Sequence, residues 1–175
     1  MYAIRPIRLI AHVFMLALCL LLTSCGDAPT LDPPIVRWGQ DVCAECGMIL
    51  SDDRYAAAVV AIHDGERHEY LYDDLGEMLA HPPKTEGAVK QWARDMRTRQ
   101  WIDASRAHYI RSRTLHTPMG YGVVALNDLQ DAQALRDEAG GELLTMHDWS
   151  DTGPADPDTA PADQHRHAVP IGDRP

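Results

Sequence analysis

The Asp64-Gly65 pair constrains this chain more than any other local feature. It separates two runs of strand-forming residues, Tyr55–Ile62 and Glu66–Tyr72. A two-residue Asp-Gly loop matches the right-handed twist of paired antiparallel strands, so the two runs are expected to fold back on each other as a hairpin. The first run is small and β-branched, as in a buried strand. The second alternates, with Glu66, His68, Tyr70 and Tyr72 on one face and Arg67, Glu69 and Leu71 on the other.

The elements beyond the hairpin follow from local punctuation. Asp73-Asp74 offers an N-cap to a short helix, Leu75–Ala80, which His81-Pro82-Pro83 stops. Ala88–Met96 reads as a strand, Arg97–Gln100 as a turn and Trp101–Ala104 as a short extended piece. His108–Arg111 and Tyr121–Leu126 read as further strands. Asn127-Asp128 caps a second helix, Leu129–Ala139, which Gly140-Gly141 closes. A loose repeat runs through this order. In each half a methionine (Met48, Met119) precedes an apolar strand and an acid-capped helix. The fold expected is α+β: two small β-rich lobes, each with one short helix, over residues 38–149, the halves meeting near 87/88 and drawing Met48 and Met119 together.

Both ends of the chain read as outside this domain. Arg5 and Arg8 precede an apolar run, Ile10–Leu22, too short to span a membrane, and Leu22-Thr23-Ser24-Cys25 follows. Residues 1–24 are thus expected to be a lipoprotein signal peptide and Cys25 the lipidated N-terminus of a cell-envelope protein. Gly26, where an aspartate could stand, leans toward the outer membrane. Residues 25–37, rich in proline, read as a tether. Residues 150–175, rich in Pro, Asp, Ala and Thr, read as a disordered tail carrying His165 and His167. The net charge of −10 argues against a nucleic-acid binder and suits attraction of cations.

Cys19 would leave with the signal and lipid would consume Cys25, so the free thiols are Cys43 and Cys46, in Cys43-Ala44-Glu45-Cys46-Gly47-Met48. Three readings stay open. Sulfur donors with a methionine two residues on suit Cu(I). The pair could be half of a structural zinc knuckle, with histidines as further ligands, or a simple disulfide. It could be a redox Cys-x-x-Cys, although such a pair normally opens a helix and none is expected here. Met119 stands on a Pro118-Met119-Gly120 turn, which favours a ligand over core filler. His116, three residues before it, is the better histidine candidate. His63 and His68 read as solvated hairpin residues. No nucleophile–base pair, phosphate loop or metal-hydrolase spacing is present, so a carrier is expected rather than an enzyme.

Taken together, the cysteine before the tether, Cys43–Ile49, Tyr70–Leu75, Trp101–Ala104 and Thr117–Gly120 resemble the NosL family of nitrous oxide reductase accessory lipoproteins, over roughly residues 25–146. The resemblance implies a two-lobed fold related to part of the organomercurial lyase fold, without that enzyme's activity. It also implies a membrane-anchored periplasmic copper chaperone that delivers Cu(I) for the copper–sulfur centre of nitrous oxide reductase, alongside a membrane assembly complex. Carried over, the ligands would be Cys46 and Met48, then Met119 and Cys43, with His116 as a nitrogen donor. A homodimer is compatible with this reading. The helix after Asp73-Asp74 departs from the family pattern as pictured here, which has a cysteine where this chain has Glu77. The competing function is a periplasmic thiol–disulfide oxidoreductase using Cys43 and Cys46.

Overall fold

The computed structural model describes residues 28–152; the expected signal peptide, Cys25 and the histidine-bearing tail lie outside the described residues. Ala57–His63 (β1), Glu66–Tyr72 (β2), Ala88–Arg94 (β3) and Trp101–Asp103 (β4) form one sheet in the order β2-β1-β3-β4. His108–Arg111 (β5), Val123–Leu126 (β6) and Glu142–Leu144 (β7) form a second, in the order β6-β5-β7. All pairings within the two sheets are antiparallel. Helix α1 (Leu75–Ala80) follows β2, α2 (Leu129–Ala139) follows β6 and α3 (Met146–Thr152) follows β7. This is the α+β arrangement of two β-rich lobes expected from the sequence.

The hairpin forms as its turn chemistry demands. Asp64 and Gly65 both take positive φ, 51° and 80°, the conformation of a type I′ turn. The register runs from His63 opposite Glu66 to Ala57 opposite Tyr72. The strand β1 is buried from Ala57 to Ala61. Its inner face joins a core of Tyr72, Leu75, Met78 and Tyr109.

Three features depart from the sequence reading. First, β3 zips along the free edge of β1, from Ala57 opposite Ala93 to Ile62 opposite Ala88, so residues 88–103 belong to the first sheet. The boundary between sheets therefore falls between Asp103 and His108 instead of at 87/88, because a long-range strand pairing overrides the local repeat.

Second, residues 30–36 do not hang free as a tether. They cross the outer face of the first sheet, where Trp92 Nε1 donates to the Leu31 carbonyl at 3.0 Å and Trp101 Nε1 to the Pro34 carbonyl at 3.0 Å. The Arg67 guanidinium donates to the carbonyls of Thr30 and Asp32. A proline-rich segment lacks donors for a ladder, yet its carbonyls remain strong acceptors, and the indoles and the guanidinium supply the missing hydrogens.

Third, the fold runs on through β7 and α3, past the expected limit at 149. Thr145 and Asp148 cap α3 reciprocally: the Asp148 carboxylate accepts from the Thr145 amide at 2.7 Å, and the Thr145 hydroxyl accepts from the Asp148 amide at 3.4 Å. Trp149 is buried in the main core.

The two sheets are riveted by Asp95, just beyond β3. It is 3% exposed. One carboxylate oxygen accepts the amides of Arg97 and Thr98 and the other the amide of Asn127, beyond β6. Burial works to raise the Asp95 pKa, but these donors outweigh it and the carboxyl sits below its usual range. A depressed folded-state pKa adds stability above the unfolded pKa, near 3.9, and that stability is lost as pH falls through the lower folded value. Asp95→Asn is therefore expected to cost about 2 kcal/mol near neutral pH and to flatten the acid limb below about pH 4. Urea unfolding between pH 3 and 7 reads both effects.

Candidate metal centre

Cys43–Met48 forms a tight turn closed at both ends. The Cys43 amide donates to the Met48 carbonyl at 2.7 Å and the Gly47 amide to the Cys43 carbonyl at 3.0 Å. Gly47 sits at φ 71°, where a side chain would be strained. Val42 and Ile49 bridge across the base of the turn. The Ala44 amide donates to the Leu71 carbonyl at 2.7 Å, which pins the turn to the end of β2. The chain is not helical here, so the expected absence of a redox-type helix start holds.

The turn points its sulfurs at α1. Cys43 is buried and Cys46 exposed, and both are free thiols. Glu77 Oε2 lies 2.9 Å from Cys43 Sγ and 3.9 Å from Cys46 Sγ. One donor atom from each of the three residues falls within 4.8 Å of the others. Glu77 is 3% exposed. Among the described residues no lysine, arginine or histidine forms an ion pair with it. Burial pushes the Cys43 thiol up to about 12, and its hydrogen bond to Glu77 adds to the rise. Cys43 is therefore held as a proton donor to a carboxylate, which is the reverse of the depressed pKa that a disulfide-exchange thiol needs. A soft cation reaching the turn would displace the thiol protons and sit between the sulfurs.

Two neighbouring aspartates hold the loops around this cluster. Asp73 accepts from the Ser51 amide at 2.8 Å and the Ser51 hydroxyl at 3.0 Å, fixing the chain just after the cysteine turn. Asp74 caps α1 through the Gly76 amide at 2.8 Å. Its other oxygen accepts from the Thr117 hydroxyl at 2.6 Å and the Met119 amide at 2.9 Å. Sequence reasoning read both acids as cap residues, but only Asp74 caps. Burial raises the Asp74 pKa, against the opposing pull of the Thr117, Met119 and Gly76 donors. The Thr117–Tyr121 loop is thereby clamped to the helix that carries Glu77. Tyr121 completes the contact: a Cβ added at Gly76 would lie 2.2 Å from Tyr121 Cβ. Only a glycine lets the loop and helix come this close.

The structure thus brings Cys43 and Cys46 together, and adds Glu77 to them. Met48 lies in the same turn with its side chain half exposed. Met119 lies on the clamped loop, partly buried. His116 is exposed, one residue outside the clamp, and is not among the clustered donors. Glu77 entered the sequence reading only as a departure from the family pattern that left the helix without an expected ligand; the structure instead sets it beside both sulfurs, on a helix with no other charge, Leu75-Gly76-Glu77-Met78-Leu79-Ala80. Its partners lie more than 30 residues upstream.

The sequence model of the NosL family matches residues 37–152. The chain is 26% identical over 141 residues to the copper-binding lipoprotein NosL of Stutzerimonas stutzeri, covering 73% of each chain. Among solved structures it is similar to the copper chaperone NosL from Shewanella denitrificans, with a TM-score of 0.53 and 17% identity, covering 67% of this chain and 94% of that one. At that identity the likeness is one of fold. The family match spans well over half of the sequence and takes in both sheets and the cysteine turn, so the chain belongs to the NosL family.

Proposed function

We propose that this protein is a Cu(I) chaperone of the cell envelope, anchored by lipid at Cys25, which carries Cu(I) toward nitrous oxide reductase and its membrane assembly complex. The observation that carries the reading is the pair of thiols facing one buried carboxylate, which forms no ion pair among the described residues. Membership of the NosL family, and relatives described as copper-binding and as a copper chaperone, support it.

Cys43 and Cys46 are the principal sulfur ligands in this reading. Met48 and Met119 are the thioether donors, and His116 is an outer candidate. Carboxylates are poor partners for Cu(I), so Glu77 serves chiefly to accept the Cys43 hydrogen bond and hold that sulfur facing Cys46. Cys46 is exposed, so an acceptor's ligand can attack the ion from that side while Cys43 still holds it. Transfer then proceeds through shared ligation and never releases the free ion.

The test is an anaerobic titration of the reduced chain, residues 26–175, with Cu(I) against a chromophoric chelator at pH 6, 7 and 8. One equivalent held against strong competition is expected, with affinity rising with pH because the thiols must lose protons. Failure to compete at any of the three pH values removes the copper reading.

A further inference from the structure

We infer that the outer face of the first sheet, with residues 30–36 bound across it, is the surface this protein lays against the bilayer, leaving the cysteine turn open to the aqueous side. The inference rests on the reading of Cys25 as the lipid-bearing residue.

The first observation is the reach of the chain. Thr30, whose carbonyl accepts from Arg67, is already fixed to the sheet. Cys25 lies five residues earlier in the sequence. Fully extended, those residues span at most about 17 Å. A free tether of the length read from the sequence would let the domain tumble well away from the membrane. The bound segment holds it close and presents one side.

The second observation is the make-up of that side. Strand register places Arg67, Glu69, Lys90, Trp92, Arg94 and Trp101 on one face. Lys90 Nζ sits 4.1 Å from the Trp92 ring centre, and the Arg94 guanidinium lies over both Trp38 and Trp101. Tryptophan with lysine or arginine is the composition that settles at a lipid headgroup layer, the rings at the interface and the cations among the phosphates. Glu69 pairs with Arg67 at 2.7 Å and Asp103 with Lys90 at 3.2 Å, so this face is close to neutral in a chain of net charge −10 and is not driven off an anionic surface. Ile35 stands out from the bound segment with 90% of its surface exposed, the most exposed large apolar residue described. It is placed to dip into the headgroup region.

The third observation is the position of the cysteine turn. Cys43 and Leu50 pack with Tyr72, Leu75 and Met78 behind the inner face of the sheet, whereas residues 30–36 cross its outer face. The sheet itself therefore stands between the sulfurs and the bound segment. The turn also carries the exposed Glu45, which an anionic lipid surface repels.

The experiment uses the full lipidated protein in vesicles containing an anionic phospholipid and a headgroup-linked acceptor dye. A donor dye is attached through azidophenylalanine at Glu69, on the outer face, or at Glu45, on the cysteine turn. Flotation with the vesicles in the wild type, and its loss in Cys25→Ser, reports the anchor separately from the orientation. Transfer at Glu69 is expected to exceed that at Glu45 by about twofold or more, because the sheet and the layer packed behind it, about 10 Å, separate Glu45 from the bilayer. The difference is expected to shrink in Trp92→Phe/Trp101→Phe, which keeps an aromatic ring at each position but removes both indole donors, and in Ile35→Glu, with circular dichroism confirming the fold. Floating protein with equal transfer at the two sites, or greater transfer at Glu45, overturns the orientation while leaving the anchor intact. A difference that survives in both variants shows that the bound segment does not set the orientation and overturns the inference as well. Wild-type protein that does not float overturns it at its premise.

Discussion

Cys46→Ser is expected to lower Cu(I) affinity by about a thousandfold or more, roughly 4 kcal/mol, while leaving the unfolding free energy within about 0.5 kcal/mol of wild type. The separation of the two effects follows from exposure. The Cys46 side chain lies at the surface, so exchanging sulfur for oxygen disturbs no packing. A hydroxyl is a hard, neutral donor that Cu(I) binds poorly at neutral pH. Glu77→Leu should divide the same quantities the other way. It replaces a buried carboxylate that forms no ion pair among the described residues with a side chain of similar size, which is expected to stabilise the metal-free fold by about 1–3 kcal/mol. It also removes the acceptor that orients the Cys43 thiol, with an expected loss of Cu(I) affinity of roughly 10- to 100-fold, in the range of other supporting groups around metal ligands. Chemical denaturation and chelator competition on the two variants give all four numbers. Stoichiometric Cu(I) retained by Cys46→Ser would sink the ligand assignment. A Glu77→Leu protein less stable than wild type would mean that the carboxylate holds the fold together.

What the sequence disclosed divides along a physical line. The hairpin, helix α1 and helix α2 depend on residues adjacent in sequence: Asp64-Gly65 at the turn, Asp74 and Asp128 as caps, and Gly140 closing α2 at φ 63°. These could be read directly, as could the spacing of Cys43 and Cys46. The partition of strands between sheets could not. The pairing of β3 with β1 joins residues about 30 positions apart and has no local marker. The binding of residues 30–36 was hidden for a related reason. Proline-rich composition says that a segment forms no ladder, but not that two indoles and a guanidinium will hold its carbonyls. Helix α3 was obscured because it abuts a tail of Pro, Asp and Thr, and because its cap pairs Thr145 with an aspartate in place of the usual glutamate. Glu77 belongs with the long-range group. Its place beside the sulfurs follows from Asp73 and Asp74 tying two separate loops to one short helix, and nothing at position 77 itself announces it.

Those two aspartates lead to the other large effect. Asp74→Ala is expected to cost about 3 kcal/mol of stability, since it strips the Thr117 hydroxyl and the Met119 and Gly76 amides of a shared acceptor inside the protein. Asp74→Asn is the more informative change. Its remaining oxygen can still cap Gly76, and its amide group can donate to the Thr117 hydroxyl. The Met119 amide then faces another donor and loses its bond. The expected cost is about 2 kcal/mol, concentrated in the Thr117–Tyr121 loop. Hydrogen exchange should show the Met119 and Gly122 amides losing protection while those of β1 keep theirs. If Met119 supplies a thioether to the ion, Cu(I) affinity falls about tenfold or more in the same variant, about 1.4 kcal/mol, and adding Met119→Leu lowers it little further. Full additivity of the two substitutions would place Met119 outside the reach of the Asp74 clamp. An unchanged affinity in Asp74→Asn, despite a loosened loop, would remove Met119 from the ligand set and leave the ion to the two cysteines and Met48.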